Sequence, residues 1–180
     1  MVKIIAIVVG VLVAGVLLFA ATRPDAFRVQ RSATIKASPD RIFALLNDFH
    51  RWGVWSPWER KDPEMKRTFG AATSGTGAVY AWEGNKDVGQ GRMEIAESVA
   101  PSKVAIRLDF VKPFEAHNMV EFVLEPRGES TDVTWSMTGN TPYFAKIIHL
   151  FIDMDRMVGK DFEAGLANLK AAAERQPGAA

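Results

Sequence analysis

Catalysis needs titratable or nucleophilic side chains that converge, and this sequence offers few that can. His50, His117 and His149 are its only histidines. None has the HxxxH or HxH neighbour that would bring two imidazoles to one metal. Asp153 and Asp155 stand two apart on a predicted helix, so their carboxylates point to different sides. Gly75-Thr76-Gly77 is followed by no lysine and opens no helix, which makes it a turn before a strand and not a phosphate loop. No GxSxG elbow is present. Arg92 and Glu94 flank Met93, and with Met93 inward they face solvent. The absence of cysteine excludes a disulfide, a thiolate nucleophile and a cysteine zinc site. No catalytic residue, metal site or cofactor is expected.

Large and soft apolar side chains are abundant instead, and the chemistry they suit is the holding of an apolar guest. Predicted ligand-binding residues are Trp55, Tyr80, Trp82, Met93, Leu108, Phe110, Phe122, Trp135 and Met137, facing Ile147, Phe151, Met154 and Met157. The methionines among them give a wall that adapts to irregular shapes. Only the Tyr80 hydroxyl and the indoles bring polarity to that set.

Two kinds of element must position these residues. From Pro142 to Glu174, apolar residues at Phe144, Ile147, Ile148, Phe151, Met154, Val158, Phe162, Leu166 and Leu169 recur at steps of three and four, the stripe of a helix. Thr141 and Pro142 supply a start, and Pro177-Gly178 a stop. A continuous helix would be about 50 Å long at 1.5 Å per residue, so a kink or break is expected near residues 153–159. The front half, apolar over a wider arc, is expected to be the more deeply enclosed.

Between the first strand (Phe27 to Ile35) and this helix the pattern has period two. Strands are predicted at about 77–83, 91–98, 103–111, 116–125 and 131–139, with a weaker one near 65–69. Short loops make them an antiparallel meander. Apolar positions meet on every hairpin if Tyr80 lies across from Met93, Met93 from Leu108, Ile95 from Ile106, Ile106 from Phe122, Leu108 from Val120, and Phe122 from Trp135. Ser38-Pro39-Asp40 opens a helix through Leu46. Trp52, Trp55 and Trp58 then recur every third residue, stacked on a tight turn, as a lid on the core, a rim at a cavity mouth or a belt at a membrane surface.

From Ile4 to Ala21 the chain carries no charge and no strong polar group, a helical length of about 27 Å against a bilayer core of about 30 Å. Residues 1–23 are therefore expected to be a single-pass anchor, ahead of a cleavable signal peptide, and residues 24–180 one folded domain. Ala6, Gly10 and Ala14 share a face that permits weak self-association. Positive-inside counting is nearly balanced and leans toward a domain on the outer, periplasmic side. The whole chain has net charge +1, and without Lys3 and Arg23 the remainder has −1, which gives no footprint for nucleic acid.

Four local stretches carry a family resemblance: Ser38-Pro39-Asp40-Arg41-Ile42-Phe43, Trp52 with Trp55-Ser56-Pro57-Trp58, Gly77-Ala78-Val79-Tyr80-Ala81-Trp82, and Phe162-Glu163-Ala164-Gly165-Leu166 with Leu169-Lys170. With the order of elements, they resemble the START-like (Bet v 1-like) SRPBCC superfamily, in its polyketide cyclase or dehydrase branch, over about Phe27 to Glu174. The resemblance implies an α+β helix-grip fold: a curved antiparallel sheet wrapped on a long C-terminal helix, here preceded by one transmembrane helix. It also implies a hydrophobic cavity between sheet and helix, in a superfamily of lipid carriers, ubiquinone-binding proteins, hormone receptors and aromatase/cyclases. The expected function is a membrane-anchored binding module for a hydrophobic small molecule (lipid, quinone or polyketide-like). A cyclase-like enzyme and an envelope protein-interaction domain are the alternatives.

Overall fold

The computed structural model describes residues 1–151 and 153–175, with only the backbone of His149. Helix α1 (Val2–Ala21) is followed by β1 (Ala26–Ile35), α2 (Pro39–Leu46), a 3-10 helix (Phe49–Val54) and α3 (Trp58–Lys61). Strands β2 (Lys66–Phe69), β3 (Val79–Glu83), β4 (Gln90–Val99), β5 (Lys103–Lys112), β6 (Ala116–Arg127) and β7 (Ser130–Asn140) come next, then α4 (Tyr143–His149) and α5 (Met154–Glu174). All strands join one antiparallel sheet in the order β1-β7-β6-β5-β4-β3-β2. A register shift between Ile95 and Glu97 marks a bulge in β4, a device that bends a strand and increases sheet twist. The result is the α+β helix-grip architecture expected from the sequence.

Each helix forms for local reasons that the packing then uses. Pro39 stands in the first turn of α2, where its missing N–H costs nothing, and Asp40 complements the positive end. Ile42 and Leu46, one turn apart, enter the core. The Asp48 side chain accepts from the His50 N–H to start the 3-10 helix. Three-residue spacing then brings Trp52 and Trp55 to the same side, with their indole N–H groups donating to the Leu46 and Leu45 carbonyls at 3.0 and 3.1 Å.

The predicted register is observed at three hairpins, where Tyr80 pairs with Met93, Met93 with Leu108, Ile95 with Ile106 and Phe122 with Trp135. On the β5–β6 hairpin it differs by two residues. Val104 lies opposite Phe122, Ile106 opposite Val120 and Leu108 opposite Asn118. Residues 111–115 are left between the last pair, Phe110 and Ala116, instead of the three-residue loop expected. Pro113 within that span has no N–H to give to a tighter ladder. A slip of two preserves which face each side chain occupies, so the apolar face survives.

The long C-terminal segment breaks at Leu150–Asp153, earlier than expected, and the Asp153 carboxylate accepts from the Arg156 N–H to open α5. Pro142, not Thr141, takes the N-cap position of α4. The expectation of a deeply enclosed front half is corrected. Phe144 and Phe151 are 67% and 79% exposed, whereas Phe162, Leu166, Leu169 and Ala173 of α5 are buried. The break turns α4 away from the sheet and toward α1: the Tyr143 hydroxyl donates to the Leu17 carbonyl at 2.8 Å, and Ala20 is buried. Helix α5 instead packs along β1. There the Arg31 guanidinium bridges Asp155 and Glu163, Lys170 donates to the Thr34 carbonyl and Glu174 accepts from the Lys36 N–H.

Candidate functional site

The concave apolar face of the sheet has two parts. Under α5 and the tryptophan turns it is filled by aromatic rings. Trp135 stacks on Phe162 at 4.1 Å and 10°, and Trp55 meets Phe122 and Trp135 edge-on at 5.9 and 5.6 Å. Such contacts add about 0.5–1.5 kcal/mol each beyond the area they bury. Gly165 is what admits the Trp135 ring, since a Cβ there would stand 2.6 Å from Trp135 Cζ3. Trp55 is wholly buried and its carbonyl accepts from Asn168 Nδ2, so the lid-of-core reading of the tryptophans fits Trp52 and Trp55. The Trp135 Nε1–H is buried without a protein acceptor, the kind of donor that a water or a bound carbonyl satisfies.

The second part lies toward the end of the sheet at which β1 begins and β5 ends, away from the contacts that α5 makes along β1. Here Trp82, Met93 and Met137 are buried, and Leu108 and Phe110 are half-buried. The observed β5–β6 register explains their exposure, because Leu108 and Phe110 lie opposite Asn118 and Ala116, which cannot cover them. Gly91 lets the Trp82 indole lie across β4, where a Cβ would meet its Cη2 and Cζ2 at 2.5 Å, and Phe110 packs edge-on to that indole at 5.7 Å. The Trp82 Nε1–H donates to the Val88 carbonyl, so this wall presents carbon.

One polar constellation borders the apolar wall. The Tyr80 hydroxyl donates to Glu59 Oε1 at 2.7 Å, and Arg67 Nε donates to Glu59 Oε2 at 2.7 Å. Arg67 also donates to the Met65 carbonyl. Burial, and then the hydrogen bond to Glu59, push the Tyr80 phenol well above its ordinary range, while the same carboxylate raises Arg67. At neutral pH Tyr80 is thus a fixed proton donor and Arg67 a fixed cation. Nothing in the sequence pointed to Glu59 or Arg67, apart from the two-residue spacing that puts Arg67 on the same face of β2 as inward Phe69.

The predicted site residues therefore fall into three groups. Trp55, Phe122 and Trp135 are packed in the aromatic cluster, and Tyr80, Trp82, Met93, Leu108, Phe110 and Met137 belong to the rest of the inward face. Of the helical set, Ile147 and Met154 are half-buried, while Phe151 and Met157 are exposed. Phe151 lies in the break between α4 and α5, and Met157 lies on the side of α5 opposite Phe162, Leu166 and Leu169, so neither faces the sheet. Two open depressions of about 440 Å³ lie on the outer surface, one on the convex side at Arg107, Asp109 and His117, the other at Lys61, Arg156 and Lys160. Of the predicted site residues only Met157 touches either. Among the described residues no three His, Cys, Asp or Glu side chains group as a metal site.

Residues 26–174 match the family described as polyketide cyclase/dehydrase and lipid transport. The chain belongs to that family. Among solved structures with this fold, protein MLL2253 from Mesorhizobium loti is 15% identical, with a TM-score of 0.62, covering 84% of this chain and 99% of its own. The Aha1 dimer from Colwellia psychrerythraea is 17% identical, with a TM-score of 0.58 over 84% of this chain and 99% of its own. The di-domain ARO/CYC protein StfQ from the steffimycin biosynthetic pathway is 11% identical, with a TM-score of 0.59, covering 83% of this chain and 51% of its own. At such identities the likeness is one of fold. No protein of curated function matches the sequence. The four stretches that carried the resemblance take structural roles in this family member: the α2 cap, the tryptophan turns, the β3 wall and the Gly165 seat for Trp135.

Proposed function

We propose that this family member is a membrane-tethered binding module for an apolar small molecule, a lipid, quinone or polyketide-like compound, seated on the concave face of the sheet toward the end at which β1 begins and β5 ends. The observation that carries the reading is the half-open apolar wall of Leu108 and Phe110 against Trp82, Met93 and Met137, left uncovered by α5. Helix α1 supports the tether: its mean hydropathy is 3.1 over a spanning-length window, and its side chains from Val2 to Leu12 are largely exposed. A guest that buries about 300 Å² there gains on the order of 7 kcal/mol from desolvation, equivalent to about 10 μM before the cost of association weakens it, so a larger buried area is needed for tighter binding. Calorimetric titration of the full-length protein in a mild detergent with a quinone, a fatty acid and a hydrophobic dye tests the reading. Saturable one-site binding to at least one of them, lost in Phe110→Asp, is expected; no saturable heat from any of the three removes the basis for it.

A second reading, a cyclase-like enzyme, rests on the Tyr80–Glu59–Arg67 constellation. The raised phenol serves poorly as a base near pH 7, so its role would be to turn its one O–H from Glu59 to a developing enolate, with Arg67 still holding the Glu59 carboxylate. Turnover of a poly-β-keto substrate, abolished in Tyr80→Phe with binding retained, would establish this role; equal turnover in the variant would remove it.

A further inference from the structure

Four of the nine large apolar side chains exposed C-terminal to α1 among the described residues, Val111, Phe114, Tyr143 and Phe144, lie where the topology brings three separate segments together. The first strand begins at Ala26, paired with Asn140 at the end of β7, and Phe110 pairs with Ala116 at the β5–β6 hairpin. The α1–β1 junction, the start of α4 and the tip at 111–115 therefore share one end of the sheet. The order β1-β7-β6-β5 separates tip from junction by three strand spacings, about 14 Å. Val111 and Phe114 on the tip are 56% and 71% exposed, and Phe144 on α4 is 67% exposed. Exposed phenylalanines on two segments at one end of the sheet offer a candidate contact surface.

Helix α4 fixes what the occupant is. The Tyr143 hydroxyl reaches the carbonyl of Leu17, four residues and so about 6 Å inside the end of α1 at Ala21. If α1 spans a bilayer, a side chain bonded at Leu17 lies at the level of the headgroups and upper acyl chains, the depth that tyrosine rings favour. Only residues 22–25 link α1 to β1, so the sheet end cannot stand far from that surface. Cations stand at the same level: Arg23 lies 4.8 Å over the Phe19 ring and exposed Lys112 adjoins the tip, both placed for lipid phosphate. The buried Lys146 ammonium, held by Asp25 at 2.5 Å, locks α4 to the linker.

We propose that this end of the domain docks on the lipid surface, with Phe144 of α4 and the Val111–Phe114 tip inserted at the interface, so that the open wall at Leu108 and Phe110 faces the bilayer. The proposal rests on reading α1 as a membrane span. A guest would then pass between lipid and the concave face without crossing water.

The chain lacks cysteine, so single nitroxide labels report depth without background. Full-length Phe114→Cys, Phe144→Cys and Glu129→Cys, each labelled and reconstituted in phosphatidylcholine–phosphatidylglycerol vesicles, are compared for collisions with oxygen and with a water-soluble nickel chelate. Glu129 is at the β6–β7 turn, the opposite end of β6, about 40 Å from the tip at 3.3 Å per residue. The labels at 114 and 144 are expected to favour oxygen and the label at 129 the chelate. An aqueous signature at 114 or 144 overturns the docking. Carbonate extraction of the same vesicles separates the two premises: protein released by carbonate refutes the span, whereas protein retained with an aqueous label at 114 refutes the docking alone.

Discussion

Replacing Trp55 distinguishes a structural tryptophan from a gate. Its side chain is fully buried, packs edge-on against Phe122 and Trp135, and donates to the Leu45 carbonyl. Trp55→Ala removes all of this and leaves a cavity that the stacked neighbours cannot close, at a cost of about 3–5 kcal/mol. Trp55→Phe keeps most of the packing and leaves the Leu45 carbonyl without its indole donor, a cost of about 1–3 kcal/mol. Against a total stability of about 5–15 kcal/mol the first change is severe. Urea unfolding of the full-length protein in mild detergent, followed by near-ultraviolet circular dichroism, measures both. With a slope of about 2 kcal/mol per molar for this size, Trp55→Ala lowers the midpoint by about 2 M with the slope unchanged. A Trp55→Ala midpoint within about 0.5 M of wild type, or a Trp55→Phe loss as large as that of Trp55→Ala, would refute the core assignment.

Two further outcomes follow from single contacts. Gly165→Ala gains up to about 1 kcal/mol of helix propensity but places a methyl 2.6 Å from Trp135, and overpacking of about 1–3 kcal/mol decides the sign, so the variant unfolds at lower urea than wild type. His117 is held protonated above its ordinary range, chiefly by its hydrogen bond to Asp109 and then by the charges of Asp109 and Glu115. Its stabilising contribution is therefore complete below the unfolded-state value near 6.5 and is lost as the pH rises through the higher folded value. Nuclear magnetic resonance titration of the imidazole should place its midpoint above 6.5, and Asp109→Asn should lower it.

Much of this fold was legible because two periodicities report directly on burial. Alternation identified the inward face from Tyr80 to Met137, and it holds even where the β5–β6 register is two residues off, since a slip of two does not change faces. For the same reason the pattern could not detect the slip, and with it the exposure of Leu108 and Phe110 opposite Asn118 and Ala116. The helical stripe from Phe144 to Leu169 shows which residues seek apolar contact but not with what. Its front meets α1 and its back meets the sheet, so Phe151 and Met157 were placed in a wall they do not join. Glu59 and Arg67 lie on different elements from Tyr80 and resemble ordinary solvated charges; only folding brings them to its hydroxyl.

Native mass spectrometry of the full-length protein, purified from its own membrane and released from detergent in the gas phase, tests ligand binding most directly. One apolar adduct of defined mass on the wild type, absent from Phe110→Asp that retains wild-type near-ultraviolet circular dichroism, is the predicted result. A wild-type spectrum of bare protein, or an adduct equally abundant on the folded variant, would contradict it.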